Sequence, residues 1–278
     1  MVETFGERLS ERIDALGPLC VGIDPSSQSL AAWGRDDSPE GLEFFAMTLV
    51  EAALDNAAAI KPQIAHFERF GARGFLVLER VLAEARDAEV LVVADVKRGD
   101  IGASNEGYAQ AWLGEESPLR ADALTVHPYL GVDSLAPFFM LAAATGRGVF
   151  VLAATSNDEG RSIQRAYGDD HEFVEDLVLR SVAQRNQRDD GRGSLGVVLG
   201  ATRDRPRFEL SALGGPILVP GVGAQGAGAQ QVAQLLAPCP RATVLVNVSR
   251  AIASVGPERP VLSDTIRRWR DELATALL

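Results

Sequence analysis

Cysteine is scarce in this sequence: only Cys20 and Cys239 occur, both in or near apolar segments. Two thiols exclude a disulfide framework and a cysteine-based zinc site, and they fit a reducing compartment. Positive charge is also in short supply. The 27 Lys and Arg face 38 Asp and Glu, for a formal net charge of -11. That excludes a protein that holds nucleic acid through an overall positive surface, although a few placed cations still bind a small anion. No stretch approaches the roughly 20 uninterrupted apolar residues of a membrane span. Met1 to Leu16 is rich in charge and lacks the apolar core of a secretory signal. A soluble cytoplasmic protein with no membrane or nucleic-acid partner is the expectation.

What is abundant is apolar sequence, at 46% of 278 residues, enough for a sizeable core. Phe5, Leu9, Ile13 and Leu16 recur at helical spacing, predicting an amphipathic N-terminal helix over 4–16. Eight apolar runs then alternate with helical patterns. The predicted strands cover 19–24, 57–63, 90–97, 121–127, 148–156, 195–202, 216–223 and 243–250. The intervening helices are expected over 39–56, 75–88, 104–113, 132–145, 171–187, 205–213 and 227–236, with a last one over 263–277. Polar loops are expected over 26–37 and 157–169, and a turn over 189–194. Continuous apolar strands are buried on both faces, as in a parallel sheet covered by helices. Eight βα units in about 250 residues predict a (β/α)8 TIM barrel, with residues 1–278 as one domain. A doubly wound open sheet is the runner-up, but no G-x-G-x-x-G follows the first strand.

The densest chemistry lies in Val90-Leu-Val-Val-Ala-Asp95-Val-Lys97-Arg-Gly-Asp100-Ile101. Strand alternation puts Asp95 and Lys97 on one face, with Asp100 just beyond. Charge at the end of an apolar strand is costly unless it pairs or does chemistry. An isolated D-x-K-x-x-D string reads as a structural ion pair. The other strand ends change that weighting. Asp24 ends the first strand, Lys61 the second, His127 the fourth, and Thr155 with Ser156 the fifth. Pro220-Gly-Val-Gly223-Ala-Gln225-Gly ends the seventh, and Ser249 with Arg250 the eighth. Only the sixth end is neither polar nor glycine-rich, and a barrel converges all eight on one mouth. Glycines after strand seven and an arginine after strand eight read as a phosphate site. Lys61, Asp95, Lys97 and Asp100 alternate in charge, so the carboxylates hold the ammoniums protonated. A protonated lysine stabilises a developing carbanion and delivers a proton to it. His127, beside Pro128 with no acid nearby in sequence, reads as structural.

Asp95-Val-Lys97-Arg-Gly-Asp100-Ile101 resembles the D-x-K-x-x-D-I signature of the orotidine 5'-phosphate decarboxylase family. Lys61, Pro220-Gly-Val-Gly-Ala-Gln225-Gly and Arg250 are similar to that family's other site elements, and the resemblance covers essentially the whole chain. Arg98-Gly99, Gly102-Ala103 and the long loops after strands one and five look like the bacterial branch typified by mycobacterial enzymes. The resemblance implies that Lys97 protonates carbon 6 of the pyrimidine and that Asp95 lies against the departing carboxylate. It implies that Lys61 and Asp100 complete the network, Asp100 coming from the partner in a homodimer. Asp24 and the neighbouring subunit's Ser104 would contact the ribose, Ile101 would join the substrate site, and Thr155 or Ser156 would contact the pyrimidine. Pro220, Gly223, Gln225, Ser249 and Arg250 would border or hold the phosphate. No metal or organic cofactor is implied, and the product would be uridine 5'-phosphate.

Three other readings compete. A magnesium-dependent sugar-phosphate decarboxylase or synthase looks similar at D-x-K-x-x-D, but carries a metal-binding glutamate where Lys61 stands, and a second cation is a poor neighbour for Mg²⁺. A Schiff-base aldolase needs a neutral lysine, which flanking carboxylates disfavour. A non-catalytic phosphate-ligand sensor would not need four intact charges.

Overall fold

The computed structural model describes residues 3–168, 171–188, 193–223, 226–237, 239–240 and 243–277. The strands are β1 (Leu19–Ile23), β2 (Ala59–Pro62), β3 (Leu91–Arg98), β4 (Ala123–Val126), β5 (Gly148–Ala154), β6 (Leu195–Leu199), β7 (Ile217–Val222) and β8 (Val244–Val248). All pair in parallel in sequence order, and β8 returns to β1 through Leu19 and Val246, closing a (β/α)8 barrel. Helices such as Pro39–Ala53, Gly71–Asp87 and Val174–Arg188 form the outer layer. Their apolar faces cover the outward side chains of the strands, which explains why strand after strand is apolar on both faces.

The barrel interior is a second, smaller core. Inward residues such as Cys20, Ala59, Val93, Phe150 and Leu245 pack together with Phe5, Leu9 and Ile13 of α1 (Phe5–Leu16). α1 therefore closes the N-terminal end of the barrel. Thr4 caps it, its hydroxyl accepting from the Glu7 N–H while the Glu7 carboxylate accepts from the Thr4 N–H. Phe5 meets Phe150 edge to face at 5.8 Å. A Cβ on Gly148 would collide with the Phe5 ring, so only glycine admits the plug there. Arg8 fastens it further, donating to Asp122 Oδ1 at 2.5 Å and to the Gly146 carbonyl at 3.1 Å.

Several stretches differ from the sequence expectation, among them an unexpected short helix at Ala65–Glu68 and a last helix that starts at Arg259. The 26–37 loop contains a helix, Ser27–Ala32, nucleated by the Ser26 hydroxyl accepting from the Ser29 N–H. The 157–169 loop contains a 3₁₀ turn, Asp158–Gly160, and a short helix, Arg161–Gln164, held by ion pairs of Arg161 and Arg165 to Asp204. The expected helix over 205–213 is only a 3₁₀ turn at Leu210–Ala212, since Pro206 biases Arg205 away from helical geometry. The eighth strand, expected to reach Arg250, stops at Val248, and Arg250–Ala253 is a helical turn. Most of the expected turn at 189–194 lies outside the described residues.

Candidate active site

The C-terminal ends of the strands surround a cavity of about 540 Å³. Asp24, Lys61, Asp95, Lys97, Thr155, Ser156, Pro220, Ser249 and Arg250 all line it. The two sides differ in chemistry. Leu152, Val198 and Leu218 from β5, β6 and β7 form an apolar wall, and the charged groups come from the ends of β1, β2, β3 and β8.

Asp95 is the hub. It is buried on β3 and accepts four hydrogen bonds: from Lys61 Nζ at 2.8 Å, Gln63 Nε2 at 2.9 Å, Lys97 Nζ at 2.6 Å and Thr125 Oγ1 at 2.8 Å. Burial alone would push the carboxyl pKa up, but the Lys61 and Lys97 ammoniums override it and hold it well below the usual carboxylate range. Burial would likewise push Lys61 down, yet Asp95 and Asp24 outweigh it and raise the ammonium above its ordinary value. Lys61 is therefore a locked cation with almost no contact with water. The Lys97 side chain is 45% exposed and reaches into the open cavity. Its backbone lies at φ 46°, a strained left-handed conformation for lysine, and its N–H donates to Thr125 Oγ1 at 3.0 Å. The β3–β4 register shifts between Ala94 and Arg98 at the same place. The strand is bent where it presents its lysine.

Just beyond β1 and β8, Ser249 Oγ donates a hydrogen bond to Asp24 Oδ2. Asp24 Oδ1 and Asn247 Oδ1 are buried acceptors without a hydrogen-bond partner among the described residues. Gly22 leaves room for Ser249 and Asn247, since a Cβ there would lie 2.6 Å from the Ser249 Cβ and 3.0 Å from Asn247 Oδ1. Buried orphan acceptors beside a cavity are suited to ligand hydroxyl donors. At the end of β7, Gly221 and Gly223 adopt φ 95° and 79°; Gly221 lines the cavity, whereas Gly223 does not, and its N–H donates to the Ala227 carbonyl at 2.8 Å. Gln225 lies outside the described residues. Arg250, exposed at the rim, forms no ion pair with another described residue.

Asp100, Ile101 and Ser104 do not line this cavity. The Asp100 N–H donates to Asn105 Oδ1 at 2.9 Å and its carboxylate accepts from the Ile101 N–H at 2.8 Å. Fully buried Asn105 also donates to the Ser134 carbonyl, fixing this loop against the next one. His127 stays outside the cavity too, and its backbone N–H donates to the Arg98 carbonyl.

Sequence reasoning missed Gln63, Thr125, Asn247, Asn157 and Gln164, all of which line the cavity. The first three carried a usable signal. Gln63 lies two residues beyond Lys61 on the same face, and Thr125 and Asn247 are polar residues at inward positions of apolar strands. A second signal is plainer: the chain has only two lysines, Lys61 and Lys97, and both are here.

The family model described as orotidine 5'-phosphate decarboxylase / HUMPS matches residues 17–263. An orotidine 5'-phosphate decarboxylase of Salinispora tropica is 50% identical over 276 residues, 99% of each chain. One from Streptomyces coelicolor is 46% identical over 277 residues, again 99% of each. A crystal structure from Streptomyces avermitilis superposes with TM-score 0.95 at 46% identity, covering 99% of this chain and 96% of that one. The OMP decarboxylase of Leishmania donovani superposes with TM-score 0.71 at 31% identity, covering 95% and 99%.

Proposed function

The chain belongs to the orotidine 5'-phosphate decarboxylase / HUMPS family, and from that premise we propose that its barrel mouth converts orotidine 5'-phosphate to uridine 5'-phosphate and CO₂ without metal or organic cofactor. The observation that carries this reading is the Lys61–Asp95–Lys97 row, with one locked ammonium and one that faces the cavity. The sugar-phosphate alternative needs an acidic metal ligand where Lys61 stands.

In the proposed reaction the bond from carbon 6 to the carboxylate breaks and its electron pair stays on carbon 6. The Lys97 ammonium, which lines the cavity, stabilises that pair and then donates its proton to it. Solvent reprotonates the exposed amine. Asp95 lies against the departing carboxylate, where repulsion favours its loss. Asp24 takes the ribose, its carboxylate held by the Ser249 hydroxyl. Pro220, Gly223, Gln225 and Arg250 take the phosphate, and Thr155 or Ser156 meets the pyrimidine.

Asp100, Ile101 and Ser104 are assigned to the cavity of a second copy, as a homodimer. Their turn away from the cavity of their own chain supports this. So do Ile101, Tyr129, Leu130 and Met140, large apolar side chains exposed on the segments that follow β3 and β4. We take residues 1–278 as one domain acting in the cytoplasm. Among the described residues no helix is long and apolar enough to cross a membrane.

The deciding assay is the absorbance loss of orotidine 5'-phosphate with purified protein in excess chelator. Rapid conversion is expected, and Lys97→Ala should abolish it while leaving the protein folded. Activity only on a sugar phosphate with added Mg²⁺ would move the chain to the alternative. Mixing two inactive variants, Asp100→Ala and Lys97→Ala, should restore part of the activity, because a hybrid dimer keeps one intact site. No recovery on mixing would put Asp100 back with its own chain.

A further inference from the structure

Buried Thr125 sits inside the charged row and has no part in the chemistry above. Its hydroxyl bonds in both directions. The proton goes to Asp95 Oδ1 at 2.8 Å, and the oxygen accepts from the Lys97 N–H at 3.0 Å. An ionised carboxylate can only accept and a backbone N–H can only donate, so the hydroxyl is held in one orientation. The two oxygens of Asp95 are partnered alike. Oδ2 accepts from Lys61 and Gln63, and Oδ1 accepts from Lys97 and Thr125. Each oxygen has one ammonium and one neutral donor. Oδ2 is on the locked side, and Oδ1 holds the lysine that faces the cavity.

The register between β3 and β4 explains why a side chain is needed here. Ala94 pairs with Leu124 and Arg98 with Val126, so β3 takes four steps where β4 takes two. Asp95, Val96 and Lys97 all fall opposite Thr125. Such a bulge interrupts the regular ladder and re-aims the side chains it carries. Backbone closes its far side: the Arg98 carbonyl accepts from the His127 N–H at 2.9 Å. Gly99 permits that approach, since a Cβ there would lie 2.6 Å from the His127 carbonyl oxygen. Inside the bulge, the Lys97 N–H finds its partner in a β4 side chain, the Thr125 hydroxyl. Lys97 lies at φ 46°, a conformation that persists only where the surroundings hold it.

We propose that Thr125 is a positioning residue for the chemical step: its hydroxyl ties the strained Lys97 backbone to the Asp95 carboxylate and so fixes where the Lys97 ammonium points. The inference rests on reading the cavity as an orotidine 5'-phosphate site. Having given its proton to Asp95, the hydroxyl offers the substrate no donor, so its effect falls on turnover and not on affinity. Valine has the same shape without the hydroxyl. In Thr125→Val the Lys97 N–H and Asp95 Oδ1 each lose a partner, and half-exposed Lys97 is free to relax to ordinary backbone angles. Misplacing a reacting group by about 1 Å costs up to about a hundredfold in rate.

The test compares the wild type with Thr125→Val, Thr125→Ala and Thr125→Ser. Thr125→Val should lower kcat for orotidine 5'-phosphate by about ten- to a hundredfold with KM little changed, and Thr125→Ser, which restores the hydroxyl, should recover most of the loss. Thr125→Ala should behave as Thr125→Val does, and it decides the matter if the valine variant does not fold. Calorimetric binding of uridine 5'-phosphate should be the same throughout. With the lysine side chains labelled with ¹⁵N, the Lys97 Nζ resonance should move in Thr125→Val and the Lys61 resonance should not, because Lys61 binds the other oxygen of Asp95. A residue that only packs the strand would lower the melting temperature and leave kcat and the Lys97 resonance unchanged; that result overturns the proposal. A loss confined to KM overturns it too. A wild-type protein that binds uridine 5'-phosphate but never turns over orotidine 5'-phosphate would refute the decarboxylase reading alone, and the Lys97 resonance would still decide whether Thr125 holds the lysine.

Discussion

Replacing Asp95 by asparagine keeps the shape of the side chain and removes one charge. Four donors converge on that carboxylate, and two of them are ammoniums. Lys97 is half exposed and turns to water when its partner is lost, so its pair contributes little to stability. Lys61 has no such escape, being 3% exposed and left with Asp24 as the one other carboxylate that acts on it. Removing one partner of a buried pair costs about 3–5 kcal/mol, because the other charge stays buried and uncompensated. At this chain length each kcal/mol shifts the midpoint by about 2 °C, so Asp95→Asn should melt about 6–10 °C lower. Urea unfolding at pH 7 measures the free energy. Labelling the lysine Nζ with ¹⁵N gives only two resonances, because the chain has two lysines, and the Lys61 signal should titrate at lower pH in the variant. The sign with pH is fixed. The Asp95 pKa is depressed on folding, so its stabilisation is complete above its ordinary value of 3.8 and fades as pH falls through the folded value. Lys61 is raised, so its share is complete below 10.5 and fades as pH climbs through its folded value. The gap between wild type and variant should be widest across neutral pH and narrow as pH falls below 3.8. A loss under about 1 kcal/mol, with Lys61 titrating as before, would refute the picture of a buried ammonium dependent on Asp95.

Arg250→Ala should raise KM for orotidine 5'-phosphate and also lower kcat, since binding energy from a remote phosphate supports the chemical step; unchanged substrate affinity would move the phosphate elsewhere. Phe5→Ala should cost about 3–5 kcal/mol in urea unfolding, because the ring is fully buried against Phe150 at the base of the barrel. A near-neutral result would mean that α1 is not part of the cooperative unit.

The barrel was legible because each strand is covered on both faces and so reads as an unbroken apolar run. The charged site was legible for a related reason: Asp24, Lys61, Asp95 and Lys97 break those runs with charge at their C-terminal ends. Thr125 and Asn247 were not, because a small uncharged polar residue disturbs a strand pattern much less than a charge does. The helix Arg161–Gln164 was invisible because distant partners hold it: Arg161 and Arg165 reach Asp204, and Arg165 also reaches buried Glu175. Nothing local in the sequence encodes such contacts. The turn of Asp100 away from its own cavity is set by Asn105, five residues on, through bonds that no periodicity announces.

The plug at the base of the barrel has a consequence for the order in which the chain is made. α1 leaves the ribosome before the strands it closes, yet its apolar face belongs to a cluster that includes residues as distant as Phe150 and Leu245. At synthesis rates of about 5–20 residues per second, roughly ten to fifty seconds separate Phe5 from Leu245. Through that interval Phe5, Leu9 and Ile13 have no finished seat, and the capping box at Thr4 and Glu7 is the local feature that favours the helix while it waits. A helix translated ahead of the barrel is thus among the last elements to dock, and a nascent chain stalled before β8 would carry a bare apolar stripe, the surface that chaperones engage.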